Sequence, residues 1–349
     1  MRRTSIVCTF VLAIVPFATA AQEIRSGETI TVERIIIDAR VTDATGDPIL
    51  GLTRNDLVVK VDGKVAKIQA MEWIPETAAA REIAGIVEDR PLRSGDEEAV
   101  PQGRLLIFFI QTDFARNAVR TGGQMKVLPY ARQILDALEP EDRAAVFSFD
   151  SHLKFRLDFS SDSNRIYDAI ESALSIDEPQ PPQLVPNPSL ARRIDRQAMR
   201  DATSSEEALI LLGNALRNIP GAKSLILLGW GLGKRSGNAV VMGGTYIIAR
   251  NVLESARTAV YAIDTTLADY HDLELGLGKA ASDTGGFYAK TNTFPQIAVD
   301  RLKGTLSGHY ELEVIKPDGL RPGTHTIDVQ AKQRRAIVLA RKSYIDSPQ

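Results

Sequence analysis

The stretch LLIFFI at residues 105–110 decides the fold that this sequence predicts. Six consecutive apolar residues are typical of a strand buried on both faces, as in a parallel sheet between two layers of helices. A helical pattern follows at residues 125–138, then an acidic turn at 139–142 and a second apolar strand, AAVFSF, at 144–149. A strand, a helix and a strand with short connections form a βαβ unit, whose crossover is expected to be right-handed.

Strand-like and helix-like segments keep alternating up to residue 306. After a strand at 154–159, helices are predicted at 163–174, 204–219, 246–258, 273–282 and 295–306, with strands at 223–228, 259–264 and 285–289. Apolar residues at helical spacing and polar caps mark the helices, while short apolar runs mark the strands. This alternation predicts one α/β domain with a doubly wound, mostly parallel, Rossmann-like sheet.

Antiparallel β patterns flank this domain on both sides. Residues 30–73 alternate between apolar and polar positions around a hairpin turn at Asp62-Gly63, and residues 310–344 return to the same pattern. Each segment has too few strands to be stable alone, so we expect both to pair in a small antiparallel β-sandwich. The predicted division is residues 1–21, signal peptide; 22–75, N-terminal β segment; 76–102, linker with a short helix near 77–87; 103–306, α/β domain; and 307–349, C-terminal β segment.

The N-terminus has the pattern of a secretory signal peptide. Arg2 and Arg3 precede an apolar run at 6–17 that is short for a membrane span, and small residues at 18–20 suit cleavage before Ala21 or Gln22. We therefore expect an exported protein, periplasmic or extracellular, without a transmembrane segment after cleavage; an uncleaved anchor is the alternative. Cys8, the only cysteine, lies in this segment, which leaves the mature chain without a disulfide or a cysteine-based zinc site.

Composition and motifs argue against several classes of function. The net charge of −2 gives no reason to expect a nucleic acid or an anionic membrane as partner. The glycines at 229, 231 and 233 fit neither the dinucleotide nor the phosphate-loop spacing, and the Gly-x-Ser-x-Gly hydrolase signature is absent. The four histidines are scattered without metal-ligand spacing. We therefore expect no enzymatic activity and no cofactor.

Three motifs in order point to a family. The first is V-x-D-x-x-G-x-P-x-x-G-L-x-x-x-D-L at residues 41–57, the second is DRAAVFSF at 142–149, and the third is Tyr310 with the terminal RKSY at 341–344. Together they resemble the von Willebrand factor A (VWA)-related proteins described from acidobacterial genomes. The resemblance covers most of the mature chain and implies a VWA-like domain that follows an exported β segment.

The resemblance also implies where a metal site would lie. VWA domains often bind Mg²⁺ through Asp-x-Ser-x-Ser after the first strand, a Thr from a later loop and an Asp after the fourth strand. Here the Asp-x-Ser-x-Ser motif aligns with residues 111–115, QTDFA, in which Gln111 replaces the leading Asp. Thr203 aligns with the loop Thr, and Trp230 replaces the Asp after the fourth strand. Because hard oxygen ligands are lost, we expect a degenerate metal-ion-dependent adhesion site (MIDAS), with residual Mg²⁺ binding as the alternative.

The sequence therefore predicts a non-enzymatic protein that binds a protein partner in the cell envelope or outside the cell. Open α/β sheets bind ligands at the carboxyl ends of their strands, which places the interaction face there. Trp230 is either an exposed anchor or packed on a helix, and Asp264 is either a face residue or a turn former. An enzyme using Asp113 or Asp264 and a structural envelope component are the alternatives. The candidate face comprises Gln111, Asp113, Thr203, Trp230, Gly231 and Asp264.

Overall fold

The structure, a computed structural model, describes residues 33–85, 103–112, 125, 128–174, 178–183, 185–186, 188–237, 239–292 and 295–346. The predicted signal peptide, Asp113 and residues 86–102 of the predicted linker lie outside these described residues. The strands are β1 (Arg34–Thr42), β2 (Leu57–Val61), β3 (Lys64–Pro75), β4 (Leu105–Gln111), β5 (Arg143–Phe149), β6 (Leu153–Ser160), β7 (Lys223–Gly229), β8 (Lys234–Ser236), β9 (Ala239–Val241), β10 (Thr258–Asp264), β11 (Tyr288–Lys290), β12 (Gly308–Ile315), β13 (Gly323–Ala331), β14 (Ile337–Ala340) and β15 (Ser343–Asp346). The helices are α1 (Ala78–Ile83), α2 (128–135), α3 (Ser163–Ser172), α4 (Arg196–Asp201), α5 (Ser205–Leu216), α6 (Gly244–Ser255), α7 (Glu274–Thr284) and α8 (Pro295–Thr305).

Six strands form a central mixed sheet in the order β11-β10-β7-β4-β5-β6. Five of them are parallel, and β6 runs antiparallel at one edge. β4 is continuously apolar because its two faces enter different cores. Leu105, Ile107 and Phe109 join the core under α4–α7, while the residues between them join the core under α2, α3 and α8. The α/β sheet with helices on both faces is therefore present as predicted.

Seven further strands form one antiparallel sheet in the order β14-β1-β12-β3-β2-β13-β15, and β8 and β9 form a separate pair. The structure does not confirm a sandwich of two sheets, because N- and C-terminal strands intermix within a single hydrogen-bonded array. β12 lies between β1 and β3, and a register shift at Glu313/Val314 interrupts its pairing with β3. Such bulges bend a strand and increase its twist, and the sheet curls around one apolar core that includes Ile37, Val59 and Leu312.

Two local predictions, one in this sheet and one in the linker after it, are confirmed. The β2–β3 hairpin turns at Asp62 and Gly63, with φ of 48° and 77°, a conformation that favours small or polar residues at two-residue turns. The predicted helix in the linker is present as α1, which Thr77 caps by accepting a hydrogen bond from Ala80 N. Glu76, by contrast, does not belong to a solvated linker, since its partly buried carboxylate pairs with Arg40.

A partly buried charge network joins the curled sheet to the α/β layer. Arg257, between α6 and β10, donates from Nε to Asp38 Oδ2 at 2.9 Å and pairs with Glu311 at 2.5 Å. On the other side of Asp38, His309 Nδ1 lies 2.9 Å from Glu76 Oε1. Burial disfavours the charged imidazole, but the carboxylates of Glu76 and Asp38 outweigh burial and raise the pKa of His309 to about 9. The network therefore contains a protonated histidine at neutral pH.

Candidate functional site

The strand order reverses direction at the carboxyl ends of β4 and β7. From β4 the chain passes to β5 on one side, and the later strands β7, β10 and β11 are added on the other side. In doubly wound sheets this switch point leaves a crevice between the outgoing loops, which is where ligands bind. The residues at the ends of β4, β7 and β10 therefore define the candidate site, which we call the carboxyl edge.

The amide of Gln111 closes the crevice between β4 and β7. Gln111 is 1% exposed. Its Nε2 donates to Ser205 Oγ at 2.9 Å and to Gly231 O at 2.8 Å, while its Oε1 accepts from Trp230 N at 2.8 Å and from Gly231 N at 3.2 Å. One side chain thus ties the end of β4 to the loop after β7 and to the first residue of α5. Because the contacts need both donors and acceptors, a carboxylate cannot reproduce them.

The glycines around Gln111 are required by close packing. A Cβ on Gly229 would lie 2.2 Å from Gln111 Oε1, and a Cβ on Gly231 would lie 2.5 Å from Leu273 Cβ. The glycine-rich segment after β7 is therefore a tightly packed connection at its start. Beyond it, β8 (Lys234–Ser236) and β9 (Ala239–Val241) pair as an antiparallel hairpin, which the sequence analysis did not predict.

Thr203 and its neighbours form the start of α5. The backbone N–H of Thr203 and its Oγ1 donate to Glu207 Oε2 at 2.7 and 3.0 Å, and Ser204 Oγ accepts from Glu207 N at 3.2 Å. This reciprocal arrangement is similar to a capping box, except that Glu207 accepts from the residue before the N-cap, Ser204, at the helix start that the sequence predicted. The carboxylate of Glu206 accepts from Gly233 N at 2.7 Å, so the same helical turn also supports the loop after β7.

The buried carboxylate of Asp264 holds the loop after β10 through hydrogen bonds. It is 1% exposed, and its carboxylate accepts from His271 Nε2 and Tyr288 OH at 2.8 Å and from Thr266 N at 2.9 Å. Burial would raise the pKa of Asp264, but these hydrogen bonds outweigh it and hold the pKa below its usual value. The carboxylate is therefore ionised, and it organises the loop from within.

The loop that Asp264 supports presents exposed apolar side chains. Leu267 is 46% exposed, Tyr270 is 63% exposed and Leu275, in the first turn of α7, is 55% exposed. The β8–β9 hairpin lies beside this loop, because Arg235 Nε contacts Asp272 Oδ2 at 3.0 Å. Of the twelve large apolar side chains that stand out as exposed among the described residues, six fall between residues 241 and 275, which concentrates exposed apolar surface near the carboxyl edge.

The structure brings most of the predicted face residues together but assigns them supporting positions. Gln111, Gly231 and Asp264 are buried, Trp230 is partly buried, and Thr203 is exposed at the helix cap. A partner cannot contact the three buried residues directly, so we expect them to position the loops. Sequence reasoning did not identify Leu267, Tyr270, His271 and Leu275, although three large residues among the turn formers TTLADYHD are an unusual composition for a solvated loop.

The motifs of the family resemblance also have structural positions. Tyr310 OH donates to Ile49 O at 3.0 Å and accepts from Leu52 N at 3.2 Å, so the third motif holds the loop of the first. Asp142 in the second motif accepts from Arg104 N at 2.7 Å and is 1% exposed. The contacts of Tyr310 and Asp142 therefore support the fold away from the carboxyl edge, and the second motif reaches that edge only at Phe149, which is paired with Gln111.

Comparisons with known proteins return similar folds at low sequence identity. No protein-family model matches the sequence, and neither does any curated protein. Among solved structures, a von Willebrand factor type A protein from Catenulispora acidiphila is 12% identical, with 90% of this chain and 75% of that chain covered and a TM-score of 0.40. An aerotolerance-related membrane protein from Bacteroides fragilis is 13% identical (58% and 98% covered, TM-score 0.39), and the human COPII-coat protein Sec24c is 14% identical (70% and 43% covered, TM-score 0.39).

These similarities do not establish a family or a function for this chain, because every TM-score is 0.40 or lower. The chain also spans less than half of the Sec24c chain that it matches. Within the described part of the chain, no helix has the length and apolar character needed to cross a membrane.

Proposed function

We propose that this protein is an exported, non-enzymatic binding protein that contacts a protein partner through the loops at its carboxyl edge, without Mg²⁺. The observation that carries the proposal is the exposure of Leu267 and Tyr270 in the loop after β10 and of Leu275 in the first turn of α7. We call these three residues the apolar loop. Large apolar and aromatic side chains that are exposed in the free protein and buried on binding are the usual anchors of protein interfaces.

The support beneath the apolar loop favours binding over free motion. Asp264 fixes His271 and Thr266 within the loop, and Thr265 N donates to Gly229 O at 2.8 Å, which joins the loop to the end of β7. A loop that is already held in one conformation loses less conformational entropy when a partner binds. This pre-organisation supports a recognition surface.

The proposal of Mg²⁺ independence rests on the chemistry of Gln111. Its amide nitrogen already donates to Ser205 and Gly231, and its amide oxygen accepts from two backbone N–H groups. The loops at the switch point are thus linked directly by hydrogen bonds. A Mg²⁺ ion would need carboxylate and hydroxyl oxygens at this place, and Gln111 offers a neutral oxygen that is already engaged.

Export remains a proposal that rests on the pattern at residues 1–21. A basic start, a short apolar run and small residues before Ala21 are the features that a signal peptidase reads. A partner is accordingly sought in the cell envelope or outside the cell.

Affinity capture from the envelope fraction of the native host, followed by mass spectrometry, tests the proposed function. The test variant replaces the apolar loop, Leu267→Ser, Tyr270→Ser and Leu275→Ser. The matched control replaces three residues that are at least as exposed but lie elsewhere, Val65→Ser, Ile83→Ser and Ile297→Ser (71%, 71% and 65% exposed).

We expect the wild type and the control to enrich the same partner, and the test variant to lose it by about tenfold or more, since an anchor residue contributes at least 1–2 kcal/mol. Equal enrichment by the test variant, or loss with the control alone, would contradict binding through the apolar loop.

A further inference from the structure

Three potential metal ligands converge next to the apolar loop. Asp264 ends β10, His271 lies in the loop that follows, and Glu274 lies in the first turn of α7. Each offers a ligand atom, and these atoms lie within 4.8 Å of one another. His271 Nε2 and Asp264 Oδ2 are already 2.8 Å apart. A transition metal with ligand bonds of about 2.1 Å spaces neighbouring ligand atoms about 3–3.5 Å apart, so small side-chain adjustments would bring all three groups to one ion.

The second comparable cluster in the described residues differs in one respect. Asp38, His309 and Glu311 also bring their ligand atoms within 4.8 Å of one another, but the guanidinium of Arg257 lies between two of the carboxylates. Both carboxylates of that cluster are thus already paired with one side-chain cation. Among the described residues no arginine contacts Asp264, which accepts hydrogen bonds from Tyr288 OH, Thr266 N and His271, and the Lys290 ammonium in this cluster pairs with Glu274.

We propose that Asp264, His271 and Glu274 form a binding site for a divalent transition metal such as Zn²⁺. One imidazole nitrogen with two carboxylates suits Zn²⁺ better than Mg²⁺, which prefers oxygen ligands alone. The site is distinct from the Mg²⁺ position expected from the family resemblance, since it lies at the end of β10 and uses neither Gln111 nor Thr203. It goes beyond the proposed function and does not depend on it.

The burial of the three groups fits such a site. The Asp264 side chain is 1% exposed, whereas those of His271 and Glu274 are 20% and 13% exposed, so the ion would reach a buried anchor from the solvent side. Tyr288 OH and Thr266 N hold the Asp264 carboxylate through its oxygens, as outer contacts orient ligands in metal sites. Three protein ligands would leave a coordination position for water.

Lys290 competes with the metal in the free protein. Its Nζ lies 2.6 Å from Glu274 Oε2 and also donates to Asp269 O. β11 places Lys290 beside Asp264, because the two residues are paired in the parallel register. Metal binding would replace the ammonium at Glu274, and Lys290 retains Asp269 as a partner. Removing this ammonium is therefore expected to strengthen metal binding, which a purely structural role of the cluster would not produce.

Titration of the full chain with Zn²⁺, followed by calorimetry and by thermal unfolding, tests this site. We expect one Zn²⁺ per chain and a saturable rise in melting temperature. His271→Gln can keep a donor for Asp264 but removes the imidazole, so it should weaken binding at least tenfold; Lys290→Gln should tighten it. The control is His152→Gln, because the His152 side chain is similarly exposed, 21%, and lies 3.2 Å from Glu178.

The site would be overturned if Zn²⁺ neither binds nor stabilises the wild type, or if His271→Gln binds as tightly as the wild type. Loss of binding in His152→Gln alone would place the ion elsewhere and also refute the site. Circular dichroism confirms that each variant is folded, and Glu274→Gln, at a partly exposed position, provides a second variant should His271→Gln unfold. Because the titration contains no partner protein, its failure leaves the capture experiment unaffected.

Discussion

Replacing Gln111 with glutamate tests whether an amide holds the carboxyl edge together. The two side chains have the same shape, but a carboxylate has no hydrogen to donate. At neutral pH the substituted group would therefore face Gly231 O, which now accepts from Gln111 Nε2 at 2.8 Å, without a hydrogen between the oxygens. When it is protonated, the carboxyl group regains one donor and fits the site again.

The loss of stability should consequently depend on pH. A carboxyl group titrates near pH 4.3 in the unfolded chain, and burial at a position that is 1% exposed raises its pKa in the folded chain. The folded protein loses about 1.4 kcal/mol per pH unit above 4.3 until the folded-state pKa is reached. For a folded-state pKa near 7, the loss is about 1 kcal/mol at pH 5 and about 3–4 kcal/mol at pH 7.5.

Urea unfolding of Gln111→Glu and wild type at pH 5 and pH 7.5 measures this difference. Gln111→Met serves as the control, because it removes the hydrogen bonds without adding a titratable group, and its destabilisation should be the same at both pH values. If Gln111→Glu loses equal stability at both pH values, or less than about 0.5 kcal/mol at pH 7.5, Gln111 is not the buried cross-link described above.

Four further predictions concern the charge network at His309, the pairing of the N- and C-terminal strands in one sheet, the independence from Mg²⁺ and the cleavage of the signal peptide. The pKa of His309 is raised to about 9, so the charged imidazole contributes stability that is fully present below pH 6.5 and lost as pH rises through 9. Chemical denaturation of His309→Gln should therefore show a loss of about 3 kcal/mol at pH 6 and progressively less toward pH 10. A loss of stability that does not depend on pH would contradict the charged imidazole. Deleting residues 307–349 removes β12 from between β1 and β3 and should make the chain insoluble, whereas unchanged melting would refute the shared sheet. Adding millimolar Mg²⁺ to protein that has first been treated with chelator and freed of it should leave the melting temperature unchanged, and a saturable Mg²⁺ shift would restore a Mg²⁺-dependent mechanism. N-terminal sequencing of the exported protein should find Ala21 or Gln22 first, and an intact Met1 would contradict cleavage.

Much of the fold was predictable because burial leaves a periodic trace in the sequence. The strand at 105–110 is apolar at every position since its two faces pack under different helices, and β7 and β10 repeat that pattern. The hairpin at Asp62-Gly63 was readable because few residue pairs adopt two successive positive φ values. Such local rules do not encode pairing partners, which is why one curled sheet could not be distinguished from a sandwich.

Elements that are short or largely exposed escaped prediction. β8 and β9 are three residues each and largely exposed, so they show no apolar alternation, and α4 is only six residues long. A short exposed hairpin is specified by its surroundings, here by Arg235 and Asp272, which are distant in sequence.

The candidate site was predictable in position but not in role. Topology places Gln111 and Trp230 at the switch point, and the sequence located both. The sequence could not show that the Gln111 amide uses its donors and acceptors internally, because Ser205 and Gly231 are about a hundred residues away. It likewise treated His271 as a scattered histidine, since the contact with Asp264 depends on how the loop folds back over β10.

Hydrogen exchange of the chain alone and in complex with its captured partner tests the central claim most directly. If the partner binds at the carboxyl edge, amide protection should increase in residues 265–275 and in the neighbouring hairpin at 234–241, while the curled sheet remains unchanged. Protection confined to β1–β3 and β12–β15, with exchange at residues 265–275 unaltered, would place the partner on the curled sheet and contradict binding through the apolar loop.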